Sequence, residues 1–266
     1  MLPSIYSIKA IEKQYGTGEE PVLVMCSDMN AYVCKYMRST ATTYKLACEL
    51  IGSHLAKAWR LETPEIALVR IKPEHWAGRI VQHNISAPAI GSRWLNGVLD
   101  ITPSTLCEVR PGGASLQQLL KIALFDFWIA NEDRNANNAN LLYDIERECL
   151  VSIDYGCILN TATFECPMSQ LTSTDTILWS DLFCHINQGI SQTTLTHMVG
   201  KLKTLYTALV KNSAREVDCI LAAIPEQWKI PADVVKRKLL QLFDEAWVEG
   251  VWDNFMECLK ENTEDE

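Results

Sequence analysis

A two-lobed α+β fold is predicted by three features of this 266-residue sequence. Short apolar runs separated by turn residues fill the first part, apolar positions at helical spacing fill the last, and a Pro- and Gly-rich stretch lies between. The chain accordingly divides into a β-rich lobe over 1–96 with one main helix, a mostly helical lobe over 97–260, and an acidic tail over 261–266.

In the first lobe, Val22 to Cys26 and Ala31 to Tyr36 flank the polar turn Ser27-Asp28-Met29-Asn30, the pattern of a hairpin. Leu46, Leu50, Leu55 and Ala58 fall near one face of a helix over 42–60, which Pro64 stops. Ile66 to Ile71 is the next strand. Residues 73–113 carry Pro73, Pro88, Pro103, Pro111 and the pair Gly112-Gly113, so they read as irregular, with a short strand near Ile90 to Leu95 and the lobe boundary at Asn96-Gly97. Leu116, Leu119, Leu120, Ala123, Leu124 and Phe127 then repeat at helical spacing, with Ser115 as the expected N-cap. Asn140 to Tyr143 and Leu150 to Ile153 form a second strand pair, and helices are expected over 196–211, 213–223 and 232–259. The polar end, Glu261 to Glu266, is expected to fray.

Composition narrows the function. Apolar residues make up 48 %, enough to bury a core and to exclude disorder over most of the chain. The net charge of −9 gives no global field for nucleic acid. No stretch reaches the roughly 18 apolar residues of a membrane span, and Met1-Leu2-Pro3-Ser4 does not open a signal peptide. None of the ten cysteines is spaced as a Cys-x-x-Cys pair, so buried, reduced thiols of a cytoplasmic protein are expected. His54, His75, His83, His185 and His197 have no metal-ligand spacing, and Trp59, Trp94, Trp128 and Trp179 read as packing residues.

The chemistry concentrates in one loop. Between an apolar helix and an apolar hairpin, residues 131–140 are crowded with Asn, Asp and Arg. Asp133 is followed five positions later by Asn138, the spacing of a kinase catalytic loop, in which the Asp accepts the proton of the attacking hydroxyl and the Asn amide oxygen ligates magnesium. The second strand then ends in Asp154-Tyr155-Gly156, the layout of a metal-binding Asp-Phe-Gly motif. Lys35 lies inside an apolar strand, where a charge is costly unless paired, and Glu49 lies in the helix that follows. Such a Lys and Glu form the ion pair that holds nucleotide phosphates. Upstream, Gly16 and Gly18 stand in a short turn, Tyr15 to Glu20, whose backbone N–H groups could cover phosphates.

These residues resemble the HipA-like kinase family, in its short, single-domain branch. The resemblance rests on Asn131-x-Asp133-Arg134-x-x-x-Asn138-x-x-Leu141 and Ile153-Asp154-x-Gly156, supported by Tyr32-Val33-x-Lys35, by Glu49, and by Ile224-Pro225-x-x-Trp228. It covers roughly residues 5 to 250 and implies a two-lobed protein-kinase-like fold. It also implies ATP and Mg2+ as cofactors, Asp133 as base, Asn138 and Asp154 as metal ligands, and Lys35 on the ATP phosphates, with Arg134 bracing the loop. The implied activity is transfer of the γ-phosphoryl group to a Ser/Thr hydroxyl of an unknown protein substrate. Some members of the family are toxins with an antitoxin partner, so such a partner is a further expectation. A small-molecule kinase remains an alternative, because the acceptor region over 157–195, rich in hydroxyls without a basic cluster, discriminates poorly. A catalytically silent nucleotide-binding module is another, against which the retained Asp133, Asn138 and Asp154 argue.

Overall fold

The computed structural model describes residues 2–16, 18–38, 42–76 and 87–264. In the N-terminal lobe the chain forms β1 (Ser4–Tyr6), β2 (Lys13–Gln14), β3 (Val22–Met25), β4 (Ala31–Lys35), α1 (Thr42–Ala58), β5 (Ile66–Arg70) and β6 (Ala89–Arg93). The six strands make one sheet in the order β1-β5-β6-β4-β3-β2, antiparallel except for the parallel pair of β1 and β5. Beyond β1 the chain crosses to β3: Ser27 N donates to Tyr6 O at 2.9 Å and Ile8 N to Met25 O at 3.0 Å, so the sheet curls and that part of the β3 edge is covered.

Strand alternation sets up the site. Val22, Val24, Tyr32 and Cys34 point into one core with Ile5, Ala67 and Val69. The two-residue period therefore turns Val33 and Lys35 to the opposite face of β4.

The chain continues with β7 (Val98–Asp100) and α2 (Gly113–Ile129), followed by β8 (Leu141–Asp144) and β9 (Cys149–Ser152). The remaining helices are α3 (Asp181–Asn187), α4 (Gln192–Ser213), α5 (Val217–Ala223), α6 (Ala232–Gln241) and α7 (Glu245–Glu264). Helix α2 is the axis of the helical part, with Ile122 through Ala130 all buried. Trp228, fully buried, donates from Nε1 to the carbonyl of Pro88 at 2.8 Å and so ties the helical lobe to the chain entering β6. Among the described residues no helix is long and apolar enough to cross a membrane.

Several expectations are corrected. Ser115 does not cap α2. Gly112, at φ 122°, is the N-cap, and Ser115 lies in the first turn, where its hydroxyl donates to Arg110 O at 2.6 Å. The stretch 73–113 holds a second strand, β7, which pairs with β8 as the third strand of the hairpin sheet. The single helix expected over 232–259 is two: the carbonyl of Leu242 accepts from Trp128 Nε1 at 2.8 Å, outside the helical ladder, and α7 starts afresh after Asp244. The C-terminal end is helical through Glu264, and the Asn262 amide donates to the Leu178 carbonyl. Of the ten cysteines only Cys26, Cys34, Cys48, Cys149 and Cys258 are buried, while Cys107, Cys166, Cys184 and Cys219 are exposed. Trp59 and Trp128 stack in the core at 5.1 Å, but Trp94 and Trp179 are exposed.

Helix α1 also carries a pH-sensitive group. His54 Nε2 is buried without a hydrogen-bond partner among the described residues. Burial first, and Lys57 second, hold its pKa below the ordinary value, against the attraction of Glu216. The folded chain thus favours the neutral ring, and its stability is full above about pH 6.5 and falls as the pH drops below that value. Urea midpoints measured against pH should show this loss, and His54→Gln should flatten it; an unchanged slope in the variant would remove His54 as the cause.

Candidate active site

The outward face of β4 and the buried face of α1 meet at Lys35. Its Nζ donates to Glu49 Oε2 at 2.8 Å and to Asp154 Oδ1 at 2.5 Å. The three side chains grade from buried to exposed: Glu49 is 4 % exposed, Lys35 16 % and Asp154 38 %. Burial alone would lower the Lys35 pKa, but Glu49 and then Asp154 hold it above the ordinary value. Burial raises the Glu49 carboxyl despite Lys35, whereas at Asp154 the ammonium outweighs burial and keeps the carboxylate low. The triad is therefore a cation held between two carboxylates, one buried and one partly exposed.

The loop after α2 is held by a buried ion pair. Ala130 closes α2 in the left-handed region at φ 49°, its N–H directed to the carbonyls of Asp126 and Phe127. Asp126, on the last turn, accepts from the Arg134 guanidinium and from Asn131 Nδ2 at 2.9 Å. Arg134 also donates to Ile153 O at 2.8 Å and stands over the Tyr155 ring at 5.3 Å. One side chain thus fixes both the loop of Asp133 and the strand end of Asp154. Between them, Asn140 Nδ2 donates to Asp133 Oδ2 at 3.0 Å, and Ile153 N donates to Asn140 O at 3.2 Å. Asp133 Oδ1 has no hydrogen bond among the described residues and is left to accept another proton donor.

Asp154 turns the chain at φ 59°, a conformation aspartate tolerates better than most residues. Tyr155 then docks on α1. Its N–H donates to Glu49 Oε2 at 3.0 Å and its hydroxyl to Ser152 Oγ at 2.7 Å. The docking requires a glycine: a Cβ on Gly52 would lie 2.3 Å from Tyr155 Cβ. Gly52→Ala should therefore destabilise the protein by about 1–3 kcal/mol, the usual cost of overpacking. Denaturant titration checks this, and a variant as stable as the parent would place Tyr155 elsewhere.

Asn138 exchanges two backbone hydrogen bonds with Asn135, at 3.0 and 3.2 Å, closing a tight turn, while its side-chain amide has no partner among the described residues. Asn138 and Asp154 offer oxygen donors, the kind a hard divalent cation takes. No group of three His, Cys, Asp or Glu side chains able to hold a metal occurs among the described residues. Gly16 and Gly18 sit in the turn between β2 and β3, where nothing crowds a Cβ at either position. Thr17 between them lies outside the described residues.

Sequence reasoning missed four contributors. Asp126 carried a signal, being the lone acidic residue in an apolar helix, whereas Asn140 looked like one more polar loop residue. Gly52 and Lys45 gave no local sign. Lys45, one turn before Glu49, pairs with Glu19 of the Gly-containing turn at 2.6 Å. Cys157 lies within electrostatic reach of Lys45, Asp133, Asp154 and Lys35; burial raises its thiol pKa, Lys45 opposes this, and Asp133 adds to it.

No curated protein matches the chain in sequence. Among solved structures, the Helicobacter pylori proinflammatory kinase CtkA is similar in fold, with a TM-score of 0.54 over 96 % of this chain and 99 % of that one, at 13 % identity. The profile of the HipA-like kinases matches residues 8–247, so it spans both the Lys35–Glu49–Asp154 triad and the Asp133 loop. On that match the chain belongs to the HipA-like kinase family.

Proposed function

We propose that this kinase uses ATP and magnesium to phosphorylate a Ser/Thr hydroxyl of a protein. The observation that carries the reading is the double engagement of Lys35 by Glu49 and Asp154, together with an Asp133 Oδ1 that has no hydrogen bond among the described residues. In this reading residues 1–96 form the nucleotide lobe and 97–260 the catalytic lobe. Lys35, oriented by Glu49, aligns the phosphates, and Gly16 and Gly18 leave room for the turn above them. Asp154 and Asn138 fit magnesium because both are hard oxygen donors and the Asn138 amide has no partner among the described residues. Bound magnesium supplies neutralisation of phosphate charge.

Asp133 receives the hydroxyl proton on Oδ1 while Asn140 holds Oδ2. The acceptor oxygen bonds to the γ-phosphorus as the bond to ADP breaks. Arg134 keeps the base and the metal-side carboxylate in register through Asp126 and Ile153 O. The Ser/Thr protein acceptor, and an antitoxin-like partner, are carried by the family resemblance. Incubation with γ-labelled ATP, magnesium and host lysate, followed by phosphoamino-acid analysis, tests the acceptor. Label on serine or threonine of a protein supports the reading, and label only on a small molecule overturns it.

A further inference from the structure

We propose that Lys45 is a second phosphate-binding side chain, held in reserve by Glu19 and released to the phosphates when a nucleotide enters. The inference rests on the ATP-site reading above. Lys35 alone is poorly supplied with charge for a polyphosphate. It already serves two carboxylates, so in formal charge the Lys35, Glu49 and Asp154 group has more anion than cation, and Asp133 is a further carboxylate. A second cation on the same wall would offset this.

Lys45 is that cation. It stands four residues before Glu49 on α1, on the same side of the helix. It lies within electrostatic reach of Lys35 and of Cys157, which is itself within reach of Asp133 and Asp154. Its carboxylate partner is Glu19, in the turn that would cover the phosphates. Both side chains are partly exposed, at 39 % and 29 %, and a solvated pair of this kind is weak and readily exchanged.

The turn does not depend on this pair. Arg38 donates to Gly18 O at 3.0 Å and meets Glu20 at 3.1 Å, Gln14 Nε2 donates to Glu20 at 3.3 Å, and Tyr15 N donates to Pro21 O at 2.9 Å. Glu19 is then a competitor for Lys45 rather than the support of the turn, and it also presents an anion to an incoming anion. Removing Glu19 and removing Lys45 should consequently act in opposite directions.

Isothermal titration of the full chain with Mg-ATP, Mg-ADP and adenosine makes the test, on the parent, Lys45→Met and Glu19→Gln. Lys45→Met should weaken Mg-ATP binding by about tenfold, the scale of one lost hydrogen bond to a charged group, weaken Mg-ADP less, and leave adenosine unchanged. Glu19→Gln should tighten Mg-ATP binding several-fold. If Glu19→Gln weakens binding in step with Lys45→Met, the pair merely supports the turn and the proposal is wrong. Unchanged affinity in both variants overturns it as well. A parent protein that binds no Mg-ATP at all overturns the ATP reading itself, which keeps the two failures distinct.

Discussion

Asparagine in place of Asp133 should cut phosphate transfer by about 10²-fold or more while leaving Mg-ATP affinity nearly unchanged, the pattern of a lost base rather than a lost binding group. Asparagine keeps the size of aspartate, and its amide oxygen can still accept the bond that Asn140 Nδ2 makes at 3.0 Å. What disappears is the carboxylate proposed to take the hydroxyl proton. The contrast with Asp154 is informative, because Asp154 is bonded to Lys35 and is proposed as a metal ligand, so its loss should appear in nucleotide binding as well. Transfer at the parental rate by Asp133→Asn would remove Asp133 from the chemistry.

The second large effect is on stability. Arg134 is fully buried and Asp126 nearly so, and they are bonded to each other. Arg134→Met leaves the Asp126 carboxylate in the core with only the Asn131 amide, and strips the Ile153 carbonyl of its donor. Breaking one side of a buried pair costs about 3–5 kcal/mol, whereas exchanging both partners for apolar residues costs much less. Burial already pushes the Asp126 pKa up against the pull of Arg134, so without the guanidinium the carboxyl should take up a proton more readily still. Urea denaturation of Arg134→Met, Asp126→Leu and the double variant should find the double variant more stable than Arg134→Met. A single variant within about 1 kcal/mol of the parent, the range of ordinary substitutions, would mean that the pair does not brace the loop.

Local spacing made much of this molecule legible. The hairpin of β3 and β4, helix α1, strand β5 and the hairpin of β8 and β9 follow from apolar runs and turn residues. Lys35 and Glu49 could be paired on paper because a charge inside an apolar strand demands a partner, and the structure sets them 2.8 Å apart. The features that escaped depend on distant contacts. Strand β7 has three residues, too few for any periodicity, and exists because β8 offers it an edge. The break between α6 and α7 is written in Trp128, more than a hundred residues away, which takes the Leu242 carbonyl. Gly52 is needed only because Tyr155 arrives beside it, and Lys45 meets Glu19 from 26 residues away in the chain. Exposure of Trp94 and of four cysteines was equally hidden, since an apolar neighbour in sequence does not bury a side chain.

The central claim is that Lys35, Asp154 and Asn138 face a magnesium-bound nucleotide. Calorimetric titration of ATP, with and without magnesium, into the parent protein, Asp154→Asn and Asn138→Ala tests it most directly. The account predicts that magnesium strengthens ATP binding to the parent and that both substitutions abolish most of this strengthening. ATP binding that ignores magnesium in the parent, or that keeps its full magnesium dependence in Asp154→Asn, would contradict it.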